Sequence, residues 1–290
     1  MRRAVWVAGV VLAAVFGPVG ATSAEAEGVV GEYVAMGDSF TAGPLIPEQR
    51  GAPVGCLRSS GNYPSLVARE LRVGRLVDVS CSGARTSHMT QPQSVLFGRN
   101  RPQLDALGPG TSLVTVGIGG NDVGFSDLAV GCGVLSLRNP AGAPCAAQYG
   151  AGLEQRVTQT APKVAAVLGE IRRRAPRARV LVVGYLRLLP PERGCWPFVP
   201  VARGDVPYLE GLHRSLNRML AEQARAHGAG FVDVYTDGKG RDMCAPAGQR
   251  WVEGILLNSR AAPIHPNARG MQAVATRVTT AVREPTTVTR

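Results

Sequence analysis

Short apolar runs rich in β-branched residues recur at Tyr33–Met36, Arg75–Val79, Leu113–Ile118, Arg179–Val183 and Gly230–Val234. They are too short for helices and suit buried strands. Helical spacing of apolar positions takes over at Tyr63–Leu71, Gln148–Arg174, Tyr208–His227 and Asn267–Arg283. In the second of these, Val157, Val164, Val167, Leu168 and Ile171 share a face, with Arg and Glu opposite. Strands alternating with helices predict a parallel sheet covered on both faces. No repeat, heptad run or Pro/Ser-rich linker interrupts the pattern, so one domain is expected over 27–290.

The connections at 40–61, 84–111, 124–147, 185–206 and 235–266 read as long Gly/Pro-rich loops. Each follows a strand, so on a parallel sheet all would emerge at the carboxyl edge, where such sheets bind ligands.

The first 26 residues carry a different pattern. Arg2 and Arg3 precede an apolar run from Ala4 to about Gly20, and Ala24-Glu25-Ala26 supplies a small-residue cleavage site. This predicts a secretory signal peptide over 1–26 and a secreted, extracellular product. The run is short of the ~20 residues a membrane span needs. Six cysteines remain after cleavage, none in a Cys-x-x-Cys pair, and an even number in an exported chain predicts three disulfides. Six cysteines allow ~15 connectivities. The sequential one, Cys56–Cys81, Cys132–Cys145 and Cys195–Cys244, is expected because each pair brackets a Gly/Pro-rich stretch.

The formal net charge is +11. Its arginines are scattered rather than interleaved with aromatics, which argues for solvated helix faces and against a nucleic-acid site. At most a transient attraction to anionic lipid surfaces follows. Nothing in the chain calls for a partner subunit, and a monomer is expected.

Candidate chemistry sits at the element ends. Ser39, in Gly37-Asp38-Ser39-Phe40, closes the first strand-like run, where small neighbours let the backbone turn and a carbonyl approach. Taken alone, Asp38-Ser39 is equally well read as a turn cap. Gly83 follows the second run and could offer an open backbone N–H. Asn121, in Gly119-Gly120-Asn121-Asp122, follows the third and could offer a side-chain N–H. His265, between Ile264 and Pro266, opens the last helical pattern. A hydroxyl, an imidazole and amide donors are the parts of an acyl-transfer site, where losing one oxyanion donor costs about 2.7–4 kcal/mol.

These four blocks resemble those of the SGNH hydrolases, also called GDSL lipases and esterases, and most closely their secreted actinobacterial branch with three disulfides. The resemblance runs from about Glu32 to Arg283. It implies a flavodoxin-like three-layer α/β/α sandwich on a five-stranded parallel sheet. It also implies hydrolysis of acyl esters, such as lipid esters, with no metal or other cofactor. The family's nucleophile falls on Ser39, its base on His265, and its oxyanion donors on Ser39, Gly83 and Asn121. Many members place an Asp three residues before the histidine; here that residue is Ala262, and 259–264 holds no carboxylate. A backbone carbonyl near Ala262 is therefore expected to orient the ring, leaving a Ser39–His265 dyad.

Other readings fare worse. No Gly-x-Ser-x-Gly elbow exists, and Gly117-Ile118-Gly119-Gly120-Asn121-Asp122 lacks the last glycine of a dinucleotide fingerprint. His213 and His227 share a helical pattern and His88 shares a loop with Gly83; none is assigned a role. Asp233, Asp237 and Asp242 lack the spacing of an EF-hand. Phe97, Trp196, Phe198 and Trp251, all in loops, could line an acyl trough or simply pack. Two alternatives stay open: an acetylesterase acting on carbohydrate or other small esters, and an exported binding protein without catalysis.

Overall fold

A computed structural model describes Met1, Ala4 and residues 30–255 and 260–284; the predicted signal peptide lies almost wholly outside the described residues. Five parallel strands, β1 (Glu32–Gly37), β2 (Arg75–Asp78), β3 (Leu113–Gly117), β4 (Arg179–Val183) and β5 (Gly230–Val232), form one sheet in the order β2-β1-β3-β4-β5. That is the flavodoxin-like order, with its switch point between β1 and β3. In β1, Tyr33, Val34, Ala35 and Met36 are all buried. A central parallel strand is covered on both faces, which is why its sequence is apolar without alternation.

The helices are α1 (Ser39–Ala42), α2 (Tyr63–Glu70), α3 (Gly120–Val123), α4 (Phe125–Arg138), α5 (Pro144–Tyr149), α6 (Gly152–Arg174), α7 (Val206–Ala226) and α8 (Ala268–Arg283). Two cores result. Val34, Met36, Val114, Val116, Val180 and Val182 meet Val164, Leu168 and Ile171 of α6 and Leu212 and Leu216 of α7. The alternate residues Tyr33, Ala35, Leu113, Leu181, Val183 and Val232 meet Val67 of α2 and Met271, Val274 and Val278 of α8. Each fully buried large side chain stabilises the fold by roughly 1.5–3 kcal/mol.

The expected strands are present, β1 longer by one residue at each end, β4 as expected and the other three shorter at their carboxyl ends, but one connection differs. Residues 124–147, read as loop, hold α4 and most of α5. The periodicity of α4 is blurred because it is apolar on two sides. Leu128 and Cys132 are buried, while Val130, Val134 and Leu137 face out at 70%, 51% and 66% exposure. Glycines at 131 and 133 deepen the ambiguity. The single helix expected from Gln148 instead begins at Gly152, after a break at Gly150, where φ is 48°.

The three disulfides are Cys56–Cys81, Cys132–Cys145 and Cys195–Cys244. The first joins the loop after β1 to the end of β2, the second joins α4 to α5, and the third joins the loops after β4 and β5. All three therefore restrain segments at the carboxyl edge. Among the described residues no helix is long and apolar enough to cross a membrane.

Candidate active site

β1 delivers Ser39 to the carboxyl edge through a tight turn. Gly37 has φ of 150°, and a Cβ there would lie 2.6 Å from the Gly117 carbonyl of the neighbouring strand, so only glycine fits. Asp38 is the cap: its Oδ1 accepts from Phe40 N at 2.9 Å. Ser39 is thus the first residue of α1 and its hydroxyl is free for other work. It lies 2.8 Å from His265 Nε2.

His265 is held by its own segment. Glu253 N donates to the His265 carbonyl at 2.9 Å, and Ile264 N donates to the Glu253 carbonyl at 3.0 Å. Asn267 caps α8 through Gly270 N and donates to Glu253 Oε1 at 2.7 Å. Ala262 N donates to the Pro44 carbonyl at 3.0 Å, tying this segment to the loop just after α1. Ile264, β-branched, has φ of 64°, a conformation such residues rarely adopt. Two residues before the ring, the Pro263 carbonyl lies 2.7 Å from Nδ1. That carbonyl, adjacent to Ala262, fixes the proton on Nδ1 and leaves the Nε2 lone pair for the serine hydroxyl. Burial lowers the ring's pKa below the usual 6.5, opposed by the Pro263 hydrogen bond.

Asn121 enters from α3, directly after β3. Its Nδ2 donates to the Ala84 carbonyl at 2.9 Å and its Oδ1 accepts from Ser126 Oγ at 3.3 Å. This ties the block after β3 to the residue beside Gly83. Gly83 itself is exposed, with φ of 75°. Ser39, Asn121 and His265 line one cavity of about 270 Å³, and Gly83 is not among its lining residues.

Two further groups were not legible in sequence. Tyr185, two residues past β4, donates its hydroxyl to Asp38 Oδ2 at 2.5 Å and accepts from Gly120 N at 2.9 Å. One phenol thereby links the cap of the serine turn to the residue before Asn121. Burial raises the Asp38 pKa to about 7, although the Tyr185 and Phe40 hydrogen bonds oppose the rise. The signal for Tyr185 was its place at a carboxyl edge, which singles out no residue type. His213, set aside as an ordinary helix residue, is 3% exposed and also lines the cavity.

The rest of the cavity wall is mostly apolar. It comprises Phe125, Leu128, Ala129 and Val130 of α4, Leu209 and Leu216 of α7, and Leu188, Leu189, Val199, Met243 and Ile255 from loops. The trough aromatics proposed from sequence are not among these. Phe97 is 84% exposed, Phe198 faces an adjoining depression, and Trp251 packs on the α8 side of the sheet. Phe40 of α1, Phe125 of α4, and Tyr185 and Tyr235 from the segments after β4 and β5 line the cavity instead. His88 accepts from Arg85 N at 3.0 Å within its own turn and does not line the cavity. Asp233 caps the turn at Tyr235, and Asp237 pairs with Arg277.

A serine hydroxyl bonded to an imidazole, beside amide donors and open to an apolar chamber, defines the class of α/β serine acyl hydrolases. Residues 35–273 match the model of the GDSL-like lipase/acylhydrolase family. The chain is 38% identical over 249 residues to Lipase 2 of Streptomyces coelicolor, covering 84% of this chain and 83% of that one. Among solved structures, phospholipase A1 from Streptomyces albidoflavus aligns with a TM-score of 0.74 at 27% identity, covering 87% of this chain and 99% of that one. The extracellular lipase from Streptomyces rimosus aligns with a TM-score of 0.72 at 28% identity, with the same coverage. The chain belongs to the GDSL-like lipase/acylhydrolase family and is a carboxylic ester hydrolase.

Proposed function

We propose that this protein is an exported serine esterase of lipid-type acyl esters, working through Ser39 and His265. The 2.8 Å contact between Ser39 Oγ and His265 Nε2, at the wall of an apolar cavity, carries the reading. In the first step His265 takes the Ser39 proton as Oγ attacks the ester carbonyl, then returns a proton to the departing alcohol, leaving an acyl-enzyme. In the second, water loses a proton to the same ring, attacks the acyl carbon and releases the acid and Ser39. The backbone N–H groups of Ser39 and Gly83 and the Asn121 amide serve as oxyanion donors. The Pro263 carbonyl, in place of a carboxylate, holds the imidazolium as it forms.

Lipid-type esters are favoured over acetyl esters because the cavity is much larger than a two-carbon acyl group and mostly apolar. Val130 belongs both to its wall and to the exposed stripe continued by Val134 and Leu137 at i+4 and i+7. An apolar helix stripe on a basic protein suits transient contact with an anionic lipid surface. Secretion is supported by residues 1–26 and by the extracellular lipase among the relatives.

Rates on p-nitrophenyl esters from acetate to decanoate test this, with Ser39→Ala and His265→Ala beside the wild type. The variants are expected to lose on the order of 10⁴-fold or more in kcat. In the wild type kcat/KM is expected to rise with chain length, by up to about fourfold per buried CH₂. Equal turnover by all three proteins would remove the catalytic assignment and leave a binding protein. Highest kcat/KM for acetate would transfer the assignment to a small-ester acetylesterase.

A further inference from the structure

We infer that the Leu96-Phe97 turn is an anchor that inserts into an anionic lipid surface. Residues Gln93–Val95 and Gly98–Asn100 pair antiparallel with Val95 opposite Gly98, so Leu96 and Phe97 alone form the turn between them. Both project into solvent, at 70% and 84% exposure, and Val54 of the adjoining loop is 66% exposed. The two loops are in direct contact: Gly55 lies against the Leu96 backbone so closely that no side chain would fit there. Phe97 has φ of 58°, in the left-handed region. Two-residue turns usually give such a position to Gly or Asn, which adopt it at little steric cost. Neither burial nor turn geometry calls for a phenylalanine here. Backbone strain of this kind clusters at sites that act on other molecules.

The base of the hairpin is fixed. Gln93 Nε2 donates to the Ser82 carbonyl at 2.8 Å. Asn100 Nδ2 donates to the Val79 carbonyl at 3.2 Å, and its Oδ1 accepts from Arg58 Nη1 at 3.3 Å. These bonds and the Cys56–Cys81 bridge seat the hairpin on the end of β2, at the same sheet edge as Ser39. Its surroundings are basic. Residues 79–104 hold Arg85, Arg99 and Arg101 and no Asp or Glu, and 49–69 likewise hold arginines and neither acid. Arg99 flanks the turn, is exposed and has no carboxylate partner among the described residues, while Arg101 lies 3.7 Å from Asp105. An apolar tip beside unpaired cationic charge matches the two layers of an anionic membrane surface, its headgroups and the hydrocarbon beneath. A second copy of this chain docked tip to tip would set the same arginines against one another. The anchor goes beyond the esterase reading and stands whether or not Ser39 acts on lipid.

The test is co-sedimentation of the protein with vesicles of ether-linked phosphatidylglycerol or ether-linked phosphatidylcholine, which contain no ester to cleave. The wild type is expected to bind the anionic vesicles roughly tenfold or more tightly than the neutral ones, and to be released by salt. Leu96→Ser combined with Phe97→Ser is expected to weaken binding to the anionic vesicles by roughly tenfold to a hundredfold. Arg99→Glu is expected to weaken it about tenfold and to leave the neutral vesicles unaffected. Thermal unfolding checks that each variant is folded. Phe97→Trp supplies a second readout: its added fluorescence, relative to wild type, is expected to shift to the blue and to be quenched by brominated lipid chains. No binding by the wild type, or equal binding by the Leu96/Phe97 double variant, would overturn the anchor. So would a Phe97→Trp emission that vesicles leave unchanged, or dimerisation abolished by the double variant without vesicle binding. Hydrolysis of p-nitrophenyl butyrate in solution is expected to be the same in the double variant and the wild type. Absence of that hydrolysis in the wild type would remove the esterase reading and leave the anchor to be judged by the vesicles alone.

Discussion

His265 and His213 line the same cavity, and burial is the leading cause of a lowered pKa in both rings. They are equipped oppositely. At the Ser39 end both nitrogens of His265 are engaged, one with a carbonyl two residues away and one with the Ser39 hydroxyl. At the α7 end one nitrogen of a more deeply buried ring has no protein partner. A ring with both nitrogens committed can only shuttle a proton between fixed partners, which suits a base. The difference teaches that burial and a depressed pKa do not by themselves tell the two histidines apart; the hydrogen-bond inventory of each nitrogen does.

Three measurements would break or sharpen the contrast. The largest effect is expected from Asn121→Ala, which removes a proposed oxyanion donor at the His265 end. Its kcat is expected to fall about 10²–10³-fold. KM is expected to change much less than kcat; an equal change in KM would place Asn121 in substrate binding instead.

Tyr185→Phe probes the link between the ends. It keeps the ring beside His213 but deletes the hydroxyl shared by Asp38 and Gly120 N. Unfolding in urea is expected to show a loss of about 1–3 kcal/mol, the cost of leaving buried polar groups unpaired. Activity is expected to drop roughly tenfold in kcat as the serine turn and the Asn121 turn lose their common anchor. Unchanged stability and rate would show that the bridge is ornamental.

The smallest effect concerns pH. In the proposed mechanism His265 works as the neutral base; its protonated form is disfavoured by burial, so its pKa lies below 6.5 in the folded protein. Activity is fully present above that pKa and is lost as pH falls through it. The acid limb of kcat/KM is therefore expected to have its midpoint below pH 6.5. A midpoint above 6.5 would mean that a carboxylate stabilises the imidazolium after all and that the Pro263 carbonyl is not its partner.

The order of strands and helices was legible because buried parallel strands and amphipathic helices leave different periods in the chain. The blocks holding Ser39, Asn121 and His265 were legible because each is a short segment at an element end with its turn residues written beside it. Helix α4 was not, since Val130, Val134 and Leu137 face outward while Leu128 and Cys132 face inward. Two apolar sides erase the single-face rhythm on which helix recognition depends. Of the two roles left open for the loop aromatics, lining the trough is not what they do; the walls combine faces of α4 and α7 with apolar loop residues such as Leu188 and Met243.

Composition and local pattern alone thus determined a parallel α/β sheet, which segments turn at its carboxyl edge, and the kinds of reactive group that those turns carry. Those are properties of contiguous residues, set by periodicity, capping and steric freedom over a few positions. Only the tertiary structure decided that Tyr185 joins the serine turn to the asparagine turn, that the Pro263 carbonyl meets His265 Nδ1, and that His213 reaches the cavity wall. Such pairings depend on distances between segments far apart in the chain. The packing of the sheet and its helices settles those distances, and no local rule encodes them.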